Sequence, residues 1–216
     1  MRWHVDDLDR DVDTLTPAVG GLQWGFNVPG AFVLVRVLRH GRVYVERDLK
    51  FKNLSVPDVV VSLKKLISDR CLPKRPSIFA DPNLFAPVEP KEGVMVEPIA
   101  SIFAREGLPL VQSHGDPMHG WQRVNDYLRE APDGKPWLIV SPKCQTLIRT
   151  LPTIEQKATD PETPQGEVYA AHALRLVLNS RPSVSALARE TTKHAWGTLG
   201  WLKTRDSKPR GTLALD

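Results

Sequence analysis

Residues 31–38 (AFVLVRVL) form a β-branched, almost wholly apolar run, and no other segment restricts the possible folds of this chain as much. A strand of that composition has to be buried on both faces of a sheet. Arg39-His40-Gly41-Arg42 turns the chain, and residues 43–49 then alternate with period two, so the pair reads as a β-hairpin. A doubly buried strand needs a layer above it and a layer below it, which the remainder of the chain must supply as helices.

The following segments meet that need. Ser55-Val56-Pro57-Asp58 provides an N-cap, an early-turn proline and an acid three residues after the cap, ahead of Val59, Leu63, Leu66 and Ile67 at helical spacing. After the break at Pro73-Lys74-Arg75-Pro76, Ser77-Ile78-Phe79-Ala80 reads as a short buried strand that delivers Asp81 into the turn Asp81-Pro82-Asn83. The pattern continues with a helix over 99–106, a strand over 108–112, a helix over 117–130, a strand over 137–140 and a helix over 142–150. Residues 160–166 read as a polar, proline-rich loop, and 168–179 as a strongly apolar helix. Strands first and βα units afterwards predict an α/β fold, a mixed central sheet with helices on both faces. Residues 1–18 are acidic and aperiodic and are expected to be an N-terminal arm, 19–182 the folded domain, and 183–216 a tail with one further helix over 186–202 and a disordered end.

With 216 residues, 41% hydrophobic and 25% charged, one soluble domain is the expectation. No apolar run approaches the roughly 20 residues of a membrane helix, and the acidic start is unlike a signal peptide, so an intracellular protein is expected. Cys71 and Cys144 form no CxxC pair, which argues against a disulfide framework or a zinc knuckle. Twenty-nine basic against 25 acidic residues, a formal charge of +4, is compatible with a polyanion partner but too small an excess to establish one. There is no GxxxxGK[ST] phosphate loop, so any ATP hydrolysis would come from another chain or an upstream portion. No dinucleotide loop or nucleophile elbow points to a small-molecule enzyme.

Several local motifs are more specific. Leu22-Gln23-Trp24-Gly25-Phe26-Asn27-Val28-Pro29-Gly30, the strand residues Glu46-Arg47-Asp48, and Phe79-Ala80-Asp81-Pro82 occur in that order. They are followed by His119-Gly120-Trp121-Gln122-Arg123-Val124, Pro136-Trp137-Leu138-Ile139-Val140, the segment from Cys144 to Pro152, and Gly166-Glu167-Val168-Tyr169-Ala170-Ala171-His172-Ala173-Leu174-Arg175-Leu176. Together they resemble the nuclease domain of tailed-phage terminase large subunits over 19–182, and the middle segments are the most specific part. The resemblance implies an RNase H-like fold. It further implies a metal-dependent endonuclease that cuts viral DNA during genome packaging, with clustered carboxylates holding two Mg²⁺ or Mn²⁺ ions about 4 Å apart. Its implied partners are double-stranded DNA, an ATPase domain or chain, a small terminase subunit and a portal, in the cytoplasm of a bacterial host and without a membrane.

The departures fall on the implied ligands. Gln23 stands where the pattern has an aspartate, Val168 and His172 replace acids of the closing helix, and Tyr169 and Leu176 replace its histidine and tyrosine. An amide oxygen cannot neutralise a cation, and valine offers no ligand atom. The surviving candidates are Asp81, Asp48 and Glu167 for catalysis and metal, Glu46 as a further acid, and His172 as a ligand for Mn²⁺. Arg123, Lys143, Arg149 and Arg175 are candidates for a phosphate channel. Plainer roles stand beside each: Asp81 as an Asx-turn residue, Asp48 and Glu46 as a solvated strand face with cross-strand ion pairs, Gln23 and His172 as core polar residues, Trp121 and Trp137 as packing. Two functions therefore compete: the nuclease, and a catalytically silent RNase H-like module with a DNA-binding or assembly role, such as a prophage remnant without working metal ligands.

Overall fold

The computed structural model describes residues 4–6, 16–38, 41–69, 75–87, 97–114, 116–157, 160–165, 167–181 and 184. The expected C-terminal helix over 186–202, the tail end and Cys71 lie outside the described residues. The elements are β1 (His4–Val5), β2 (Ala18–Gln23), β3 (Gly30–Val37), β4 (Val43–Phe51), α1 (Val56–Ser68), β5 (Ser77–Ala80), α2 (Ile99–Arg105), β6 (Leu110–Gln112), α3 (Pro117–Tyr127), β7 (Leu138–Val140), α4 (Gln145–Thr150), β8 (Glu155–Lys157), β9 (Asp160–Gln165) and α5 (Tyr169–Asn179).

Seven strands make one mixed sheet in the order β1-β7-β4-β3-β2-β5-β6. β2, β3 and β4 are antiparallel neighbours, β5 and β6 add in parallel beside β2, and β7 adds in parallel beside β4. This is the α/β mixed sheet expected from the hairpin and the βα units, in the RNase H-like arrangement that the resemblance implies. β3 lies in the middle, and Phe32, Val33, Leu34 and Val35 are all fully buried, as the two-faced apolar run requires. On one face Phe32, Leu34, Ile78 and Leu22 pack with Val59 and Leu63 of α1 and Phe103 of α2. On the other, Val33, Val35 and Val45 pack with Trp121 of α3, Leu147 of α4, and Ala173, Leu174 and Val177 of α5. Trp121 and Trp137 belong to this second core.

Ser55 caps α1 as its sequence predicts, its hydroxyl accepting from the Asp58 amide at 3.4 Å. Two segments differ from the sequence expectations. His4–Val5, within the expected arm, pairs with Ile139 and Val140 of β7 and extends the sheet, while Ala18 already belongs to β2. Residues 160–165, expected as a loop, form β9 and pair with β8 in a separate two-stranded ribbon. Pro161 and Pro164 are tolerated there because a two-stranded ribbon consists only of edges, where a missing donor can face outward.

Glu46 is placed by burial. Its carboxylate accepts from Arg36 Nε at 2.8 Å, both side chains are almost fully enclosed, and Arg36 also donates to the Thr16 carbonyl at 2.9 Å. An enclosed carboxylate without its guanidinium would carry a large desolvation cost, so this pair belongs to the core of the hairpin.

Candidate functional site

The strand ends determine what meets at the rim of the sheet. Side chains alternate across a strand, and Gly21, paired to Val33 and Phe79, faces α5. Gln23, two residues later on β2, therefore points to the α5 side, in the same row as Ala31 and Lys50. Asp81 follows directly on β5, whose Ala80 pairs with Leu22. α5 crosses above these ends because Gly21 has no side chain: a Cβ there would lie 2.0 Å from the Ala173 carbonyl oxygen. That close approach brings the first half of α5 over the ends of β2 and β5.

Gln23 Oε1 is buried and finds no hydrogen-bond partner among the described residues. Asp81 is half-buried and caps the short 3₁₀ turn Pro82–Leu84, its carboxylate accepting from the Asn83 amide at 3.0 Å. Its negative charge also acts on His172 and Arg175 of α5, raising the affinity of both for protons. The opposing effects are larger. Burial first, and the Arg175 charge second, push the His172 imidazole down to about 4, so it is neutral at pH 7. Arg175 is buried, with its guanidinium 3.5 Å from His172 Nδ1 and 5.6 Å from the Trp121 ring centre. A guanidinium only donates, so Nδ1 faces it without a proton and Nε2 carries the hydrogen.

The other acids are engaged elsewhere. Asp48, on β4, accepts from the Leu147 amide at 2.8 Å and so caps α4, whose own N-cap residue Cys144 makes no side-chain cap. Burial pushes its carboxyl above the ordinary aspartate value, against the lowering pull of the Leu147 and Thr146 amides. Asp48→Ala should therefore lower stability by about 1 kcal/mol, the usual weight of a lost cap. Unchanged urea denaturation would contradict the capping role.

Glu167, just before α5, is held by Lys50 at the end of β4 and by Arg149 of α4, the latter at 2.6 Å. The Lys50 hydrogen bond is the main cause that holds its carboxyl below the usual glutamate range. Val168 is the N-cap of α5 and gives no side-chain cap. Of the four basic candidates, Lys143 and Arg149 are exposed. Arg123 donates to the Arg181 carbonyl, and Arg175 lies under Trp121. Lys50 escaped the sequence reading, although its place two residues after Asp48 in a period-two strand puts both on one face.

These residues do not fit a two-metal centre. Among the described residues no group of three or more His, Cys, Asp or Glu side chains is placed to hold a metal ion. Asp48 is turned to α4, Glu167 is neutralised by two cations, and a buried guanidinium stands beside His172 and Asp81 where further positive charge would be repelled.

No family model matches the chain, and no curated protein resembles it in sequence. The fold has clear counterparts among solved structures. The P22 large terminase nuclease domain superposes with a TM-score of 0.59 at 10% identity, over 86% of this chain and 91% of that one. The fold is that of a phage terminase nuclease domain. The large terminase nuclease of the thermophilic phage G20c, solved with bound zinc, gives 0.53 at 12% identity over 77% of this chain and 82% of that one. The large terminase of the thermophilic bacteriophage D6E gives 0.58 at 14% identity over 78% of this chain, which spans only 41% of that protein. Among the described residues of this terminase-nuclease-like fold, no helix is long and apolar enough to cross a membrane.

Proposed function

We propose that this chain is a terminase nuclease-like module that engages double-stranded DNA in viral genome packaging without cutting it. One observation carries the reading. At the strand ends of this fold the acids are paired off with amides and cations, and the exposed Lys50 and Arg149 bring positive charge to that rim. Retained basic side chains favour a DNA backbone, whose phosphates they contact without any need for a metal. An ATPase domain or chain, a small terminase subunit and a portal are the partners this role entails, and a bacterial host cytoplasm is its setting.

The second reading is the metal-dependent endonuclease with Mg²⁺ or Mn²⁺, with Asp81, Asp48, Glu167 and His172 as its site. The zinc bound by the G20c nuclease favours it. It requires Asp48 and Glu167 to leave their present partners.

A supercoiled plasmid separates the two. With purified protein and Mg²⁺ or Mn²⁺ it is expected to remain supercoiled, whereas a short duplex should bind in EDTA. For two or three phosphate contacts, that binding should weaken roughly 10- to 40-fold between about 50 and 200 mM salt. Cleavage that disappears both in EDTA and in Asp81→Ala would replace this proposal with the nuclease reading.

A further inference from the structure

Lys50, Arg149 and Glu167 come from three different elements and meet at one point: the end of β4, the last turn of α4 and the residues leading into α5. Two cations face one carboxylate, which leaves the group a net positive charge. None of the three is enclosed, since the side chains of Lys50 and Glu167 retain 33% exposure and that of Arg149 65%. An ammonium and a guanidinium converging on two carboxylate oxygens form the donor set that binds a phosphodiester, and the guanidinium fork accepts either anion. Ion pairs this exposed contribute little to stability, so a competing anion can displace the carboxylate.

We infer that Glu167 is an internal stand-in for a DNA phosphate, occupying a Lys50–Arg149 backbone site that the nucleic acid takes over on binding. This rests on the DNA-binding reading above and names where that binding is restrained. The surroundings favour a nucleic acid over free phosphate. The loop after β2 leaves Phe26 and Val28 exposed, at 50% and 56%. The Asn53 amide donates to the Phe26 carbonyl at 3.0 Å, which fixes that loop at the end of the sheet to which β4 delivers Lys50. An exposed aromatic at the same end of the sheet as two exposed cations suits a surface that holds both backbone and bases.

The test is titration of a fluorescent duplex in EDTA with the whole chain and with Glu167→Gln, Glu167→Gln/Lys50→Met, and Glu97→Gln. Glu97 pairs with Arg105 of α2, on the opposite face of the sheet, and controls for the mere loss of one acid. Glu167→Gln is expected to bind about tenfold more tightly at low salt, with a similar log–log salt slope, because the same two phosphate contacts form in both complexes. The Lys50→Met addition should remove most of that gain, and Glu97→Gln should show none of it. Thermal denaturation should show all variants folded. If wild type binds and Glu167→Gln binds equally, or Glu97→Gln gains as much, the stand-in role is overturned while the DNA-binding reading survives. If no variant binds the duplex, both are overturned.

Discussion

Gly21→Ala should lower the free energy of unfolding by about 3 kcal/mol or more, at or beyond the upper end of what overpacking commonly costs. The reason is the kind of atom the new methyl meets. Its Cβ would lie 2.0 Å from the Ala173 carbonyl oxygen and 2.9 Å from the Ala173 carbonyl carbon, both backbone, with Val177 Cγ2 at 2.7 Å. A side chain can rotate away, but here β2 and α5 would have to separate, and that contact holds the centre of one of the two cores. Gly134 gives the contrast: nothing lies within 4 Å of a Cβ built there, and alanine would suffer only from the positive φ of 75°. The cost of that conformation is about 1–2 kcal/mol. Urea denaturation of the two variants compares them directly. A Gly21→Ala loss no larger than that of Gly134→Ala would mean that α5 does not sit on β2 as closely as described.

The central hairpin was legible because its signals are local. A doubly buried strand needs a sustained apolar run, and β3 has one from Ala31 to Val35, while Ser55 and Asp58 mark the start of α1 within four residues. β1 and β9 were not legible for the opposite reason. His4–Val5 is too short to show a period and becomes a strand only because β7, more than 130 residues later in the chain, offers a free edge. In β9, Pro161 and Pro164 carry the composition of a loop, and the pairing with β8 overrides it.

The site shows the same division. Which acids are replaced can be seen in the sequence at Gln23, Val168 and His172. What the remaining acids do cannot, since each role depends on a distant partner. Asp48 looks like one charge on an alternating strand, and its function as the cap of α4 needs Leu147, 99 residues away. Glu167 is 117 residues from Lys50, and only the meeting of β4, α4 and α5 shows that it is shared between two cations. Arg175 lies among Ala173, Leu174 and Leu176 on a helix whose apolar face is nearly continuous. Its burial beneath Trp121 follows from the packing of α3 on α5, where Gly120 leaves room for its stem.

Acid should destabilise the protein through His172 by about 3 kcal/mol, a consequence of moving its pKa from 6.5 to about 4. Burial between α5 and α3, with the edge-on Trp121 ring 5.0 Å away, and the Arg175 guanidinium disfavour the imidazolium, and the Asp81 charge offsets them only in part. Between those two pH values the unfolded chain binds the proton and the folded one does not. Stability is therefore complete above about 6.5 and falls as the pH drops towards 4. Asp48 has the opposite sign, because its folded pKa is raised: its contribution is present at low pH and is lost as the pH rises through that value. Comparing wild type with His172→Gln cancels Asp48 and every other shared group, so the difference in unfolding free energy between pH 7 and pH 4 isolates the imidazole. The variant should show the shallower slope. Equal slopes would mean that His172 reaches solvent and charges freely, and with that the neutral, Arg175-facing imidazole at the rim of the site would have to be abandoned.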